Sequence, residues 1–63
     1  MALIHLDTRR RQVGLSLAEV ARRSRIPYSR LWNALTDDRL NSIEIGRVEH
    51  VLDQAERERR VAV

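Results

Sequence analysis

Cysteine is absent from this 63-residue chain, and proline and glycine are scarce, at one and two residues. Without thiols there is no disulfide staple and no thiolate metal site. So little proline and glycine leaves no room for a linker or a low-complexity tract, and no repeat of solenoid length would fit. Long hydrophobic runs are missing too: none approaches the roughly 20 residues of a membrane span, and no signal-peptide pattern follows Met1. A cytoplasmic location is the expectation. Lysine does not occur at all; the 12 basic residues are all arginine.

What is present fits one small domain. Apolar residues make up 43% of the chain and charged residues 33%, an ordinary globular balance with a charge-rich surface. A chain this short buries only roughly 60% of its unfolded surface, so its core is small unless a partner adds to it. The net charge of +3 is unevenly spread. Residues 1–35 hold seven arginines against Asp7 and Glu19, whereas the remainder is acidic on balance.

Local signals divide the chain into four helices. The first runs from about Leu3 to Val13, with Leu3, Leu6 and Val13 on one face, and Gly14 stops it. Ser16 caps a second helix of about residues 16–24; Glu19 is placed to reach back in a capping box, and Leu15 to staple onto Val20. Leu40, Asn41, Glu44 and Ile45 repeat that arrangement ahead of a fourth helix of about residues 42–60. Pro27 ends the second helix, because it disfavours a helical Ile26 and lacks an amide hydrogen. A third helix, about Tyr28 to Leu35, turns Leu31, Ala34 and Leu35 inward. Thr36 to Arg39 reads as a polar connection, and Val48, Val51, Leu52 and Ala55 as the inner stripe of the fourth helix. The fold class expected is all-α.

Two short helices joined by a tight turn, residues 14–35, form the layout of a helix-turn-helix, whose second helix enters the major groove of duplex DNA. The positive half of the chain coincides with it, and arginine suits bidentate phosphate and guanine contacts. Residues 6–52 resemble the lambda-repressor/Cro-like DNA-binding domains. The resemblance is carried by Arg10 four residues before Gly14, by Gly14-Leu15-Ser16, and by Val20-Ala21. Ile26 at the turn, Leu31, and a fourth helix after a polar loop complete it. It implies a homodimeric regulator whose base-reading residues are Tyr28, Ser29 and Asn33, with Arg30 a neighbouring candidate for a base or a phosphate. It also implies an internal ion pair for Arg10, with a fourth-helix acid as the partner. The chain departs from the family at three places. Leu17 stands where a backbone-contacting glutamine is common, Ser24 where an apolar residue is usual, and Arg25 where glycine is usual. A left-handed backbone at Arg25 would cost about 1–2 kcal/mol.

Each of these residues also has a plainer reading. Asn33, Ser29 and Arg30 could be solvated helix positions, and Tyr28 could pack at the helix start. Trp32, four residues after Tyr28, reads as a partly buried core or interface residue in so small a domain, ahead of a contact to DNA. Arg22, Arg23 and Arg25 flank the turn as phosphate clamps, with Arg9 and Arg11 as alternatives, although arginine runs are often merely solvated. Glu49, His50 and Asp53 share one helical turn but read as a polar face rather than a metal site.

No nucleophile-base pair or glycine-rich phosphate loop is present, so neither an enzyme nor a cofactor or small-molecule site is expected. The leading expectation is a small homodimeric repressor of a phage or mobile-element operon. It would bind an inverted repeat with half-site centres about 34 Å apart, paired through the fourth helix and the Val61-Ala62-Val63 tail. Alternatives are an excisionase-like accessory DNA-binding protein and an antitoxin- or antirepressor-type module that grips another protein.

Overall fold

The computed structural model describes residues 2–37 and 40–61, with side chains for residues 4–34 and 40–59. The class is all-α: four helices, α1 (Ala2–Val13), α2 (Leu17–Ser24), α3 (Tyr28–Asp37) and α4 (Ser42–Val61), and no strand among the described residues. The inward roles expected of Leu3 and Leu35 lie outside the described side chains. Thr36 and Asp37, expected in the polar connection, instead continue α3, and Val61 of the expected apolar tail ends α4, while residues 38–39 and 62–63 lie outside the described residues.

Local chemistry sets the helix ends. Gly14 closes α1 in the left-handed region at φ 78°. The Leu15 N–H reaches the Arg10 carbonyl at 3.1 Å and the Gly14 N–H reaches the Arg11 carbonyl at 3.2 Å, the two bonds of a Schellman turn. Ser16 caps α2, its hydroxyl accepting from the Glu19 N–H at 3.1 Å. The box expected there is only half formed, because the Glu19 carboxylate binds Arg22 and Arg23 instead of reaching back. At α4 the box closes fully: the Glu44 N–H donates to Asn41 Oδ1 at 2.8 Å, and the Asn41 N–H to Glu44 Oε1 at 3.2 Å. Each such cap contributes about 1 kcal/mol.

One cluster of side chains forms the core. Leu6 from α1, Val20 and Ala21 from α2, Leu31 and Ala34 from α3, and Val48 and Leu52 from α4 meet Ile26 and Leu40 from the connections. Val13, Leu15, Leu17 and Ile45 pack half-buried against it, so the residue ahead of each box reaches the same core as its staple partner. Helix α4 lies against both α1 and α2, while α3 packs on α2 and α1. The i, i+3, i+4 spacing of Val48, Val51, Leu52 and Ala55 places all four inside.

The arginine expected to bind the fourth helix is not the one that does. Arg10 stays on its own helix, with Nε donating to Asp7 at 2.9 Å and Nη1 to the Leu15 carbonyl at 2.9 Å. Its neighbour Arg9 makes the long-range contact, with Nε to Glu56 at 2.8 Å and Nη2 to Asp53 at 2.6 Å. Consecutive helical residues differ in direction by about 100°, enough to send one arginine toward the α1–α2 turn and the next toward α4.

Candidate nucleic-acid interface

Pro27 hands the chain to α3 with its carbonyl, which accepts from the Leu31 N–H at 3.0 Å. No acid stands in the first turn of α3. Unlike α2 and α4, it has no side-chain cap among the described residues, so the first amides of the helix remain open donors at the positive end of its dipole.

About 100° of rotation per residue sorts the side chains of α3 into sectors. Leu31 and Ala34, each 2% exposed, anchor one side in the core. Ser29 and Asn33, one turn apart, are exposed on the opposite side. Tyr28 and Trp32 occupy one flank, their rings stacked at a centroid distance of 6.4 Å and an interplanar angle of 20°. They are 50% and 58% exposed, which overturns the expectation of a core Trp32. Its size argues for burial, but Leu31 and Ala34 already fill the inward sector, and Trp32 is turned away from both. Arg30 takes the other flank and grips Glu44 with two parallel bonds, Nε at 2.6 Å and Nη2 at 2.7 Å. That grip, followed by the Asn41 N–H, pulls the Glu44 carboxyl down to about 2. The same carboxylate thus caps α4 and ties α3 to it.

The turn before α3 is also defined. Arg25 is left-handed at φ 60° and ψ 35°. Its N–H reaches the Arg22 carbonyl at 3.4 Å, and the Ile26 N–H reaches that of Ala21 at 3.1 Å, a second Schellman turn. Ser24 is buried, and its hydroxyl donates back to the Val20 carbonyl at 2.6 Å. A buried hydroxyl with an i−4 acceptor leaves no unsatisfied polar group.

The arginines named from the sequence fall in different surroundings. Arg22 and Arg23 share Glu19, whose carboxyl they hold at about 2, with Arg22 the stronger influence. Arg22 remains 72% exposed and Arg23 36%. Arg11 is 73% exposed and pairs with Asp7 at 3.1 Å, while Arg9 is occupied by Asp53 and Glu56. The Arg25 side chain makes no hydrogen bond or ion pair among the described residues. With Arg23 it borders a groove against α4, whose other walls include Arg47 and His50. Sequence pattern does not place Arg47 or His50 near the turn, because only tertiary packing brings residues 47 and 50 beside residue 25. No described helix is long and apolar enough to cross a membrane. Compared with known proteins, the chain matches no family model, no curated sequence and no solved structure.

Proposed function

We propose that the chain binds duplex DNA in the cytoplasm as a sequence-specific transcriptional regulator, with α2, the Arg25 turn and α3 acting as a helix-turn-helix of lambda-repressor/Cro-like type. The observation that carries the reading is the division of α3. Leu31 and Ala34 fix the helix in the core, while Ser29, Asn33 and the Tyr28–Trp32 pair are exposed along a face with no acid in its first turn. A rigid helix with a polar outward strip and an open positive end suits entry into the major groove. Asn33 is the adenine reader, through paired amide bonds, and Ser29 and Tyr28 read beside it. Arg22 and Arg11 supply phosphate contacts, as the most open cations of α2 and α1, and Arg30 can exchange Glu44 for a phosphate. A homodimer paired through α4 and the residues after it would set two copies of α3 on an inverted repeat and occlude a promoter, the chain's own among the candidates.

The test is a binding titration on the DNA immediately upstream of the coding sequence, against random duplex of equal length. Asn33→Ala is expected to lose about 1–3 kcal/mol of preference for the specific duplex while keeping its affinity for random DNA. Equal losses on both duplexes, or no specific binding by the parent chain at physiological salt, would overturn the proposal.

A further inference from the structure

We infer that the groove between the C-terminal end of α2 and the first half of α4 is a docking site for an acidic, amphipathic peptide segment of a second protein. The groove is open to solvent, with a volume of about 430 Å³, and Arg23, Arg25, Ile43, Gly46, Arg47 and His50 are among its walls. No described residue of α3 lines it, so it lies apart from the outward strip of α3 proposed to read bases.

Three independent observations converge on the occupant. The first is charge. Arg9, Arg10, Arg11, Arg22, Arg23 and Arg30 each hold a carboxylate of this chain. The Arg25 and Arg47 side chains have no hydrogen-bond or ion-pair partner among the described residues, Arg47 acting on Glu44 through its charge alone, and no described carboxylate lines the groove. Cations left open on both walls complement carboxylates supplied from outside.

The second is Gly46, in the interior of α4. Glycine there weakens the helix relative to alanine. A Cβ at this position would meet nothing within 4 Å, so no neighbour in the fold requires its absence. Its effect is to keep the groove open where another backbone can approach. The third is Ile43, which is 68% exposed although apolar. An apolar wall between cationic ones suits a peptide that alternates acidic and apolar residues better than a phosphate backbone, which offers Ile43 no apolar partner.

The test is a selection of displayed random peptides on the full chain, with counter-selection on Gly46→Leu. That substitution fills the groove while raising helix propensity, and circular dichroism verifies its fold. The survivors are expected to be rich in Asp and Glu, with Leu or Ile at helical spacing. They should bind Arg25→Glu and Arg47→Glu about tenfold or more weakly than the parent, and shift the amide resonances of Arg25, Gly46 and Arg47. Equal binding to parent and variants overturns the inference, as does equal binding of a shuffled acidic peptide, which reduces the effect to bulk charge. So does a parallel loss of duplex-DNA affinity in Gly46→Leu, which would make the groove a phosphate track and leave the α3 reading standing. Should Gly46→Leu fail to fold, the two exposed arginine variants decide the outcome.

Discussion

The turns that end α1 and α2 make the same pair of Schellman bonds with very different residues. Gly14 takes the left-handed position in the first and Arg25 in the second. Glycine adopts that conformation without penalty, whereas arginine gives up about 1–2 kcal/mol. The surroundings differ to match. Around Gly14 the supports are polar and local, with Arg10 bonded to the Leu15 carbonyl and Leu15 only half-buried. Around Arg25 they are apolar and tertiary: Ile26 and Ala21, the pair that a Schellman turn brings together, are 3% and 4% exposed inside the core. A strained backbone persists only where its neighbours over-determine it. The α2–α3 angle is therefore set by the core, not by the turn residue.

The largest expected effect comes from removing that over-determination. Ile26→Ala should destabilise by about 2–5 kcal/mol, a large part of the total for a domain of this size. Leu15→Ala, at the matching position of the first turn, should lose clearly less, since its side chain is already partly in water. Urea unfolding of both variants measures the difference. Equal losses would mean that the second turn holds itself locally.

Next in size is the exchange of the left-handed residues themselves. Gly14→Ala should lose about 1–2 kcal/mol, and purely through the backbone, because nothing lies within 4 Å of the added Cβ. Arg25→Gly should gain up to about 1 kcal/mol, the relief of strain being offset in part by the freer unfolded chain. Opposite signs in the two urea midpoints are the expected result. The same sign would show that Arg25 is not strained.

The same contrast explains what was legible in the sequence. Caps at Ser16 and Asn41, the break at Pro27 and the stop at Gly14 depend on residues within one turn of each other, and local pattern suffices to find them. Inward stripes on α3 and α4 follow from helical spacing. The choice of Arg9 over Arg10 as the partner of α4 depends on the azimuth at which two helices meet, which no local pattern encodes. Trp32 misleads for a related reason: its size argues for the core, but its direction is fixed by Leu31 and Ala34. The groove beside Arg25 was out of reach because its walls come from residues about 20 positions apart, although a glycine inside the α4 pattern was a visible irregularity.

The glutamates in the first turns of α2 and α4 extend the comparison to acid pH, with the smallest expected effect. Glu19 and Glu44 both titrate near 2 in the folded chain, against an ordinary value of 4.5. A carboxylate whose folded pKa is depressed stabilises fully above its unfolded pKa, and that contribution fades as pH falls toward the folded one. Both contributions are therefore whole above about pH 4.5 and fade toward pH 2. The two differ in what they hold. Glu19 binds only arginines of its own helix, three and four residues on, whereas Glu44 closes the α4 box and binds Arg30, 14 residues away across a helix boundary. Exposed pairs within one helix add little to global stability, while a bidentate link between helices resists their separation. Glu44→Gln should thus flatten the acid limb of the melting-temperature profile more than Glu19→Gln does, with both variants converging on the parent near pH 2. If Glu19→Gln flattens it as much, the two glutamates share the acid sensitivity equally, and the Arg30–Glu44 bridge adds no more than a pair within one helix.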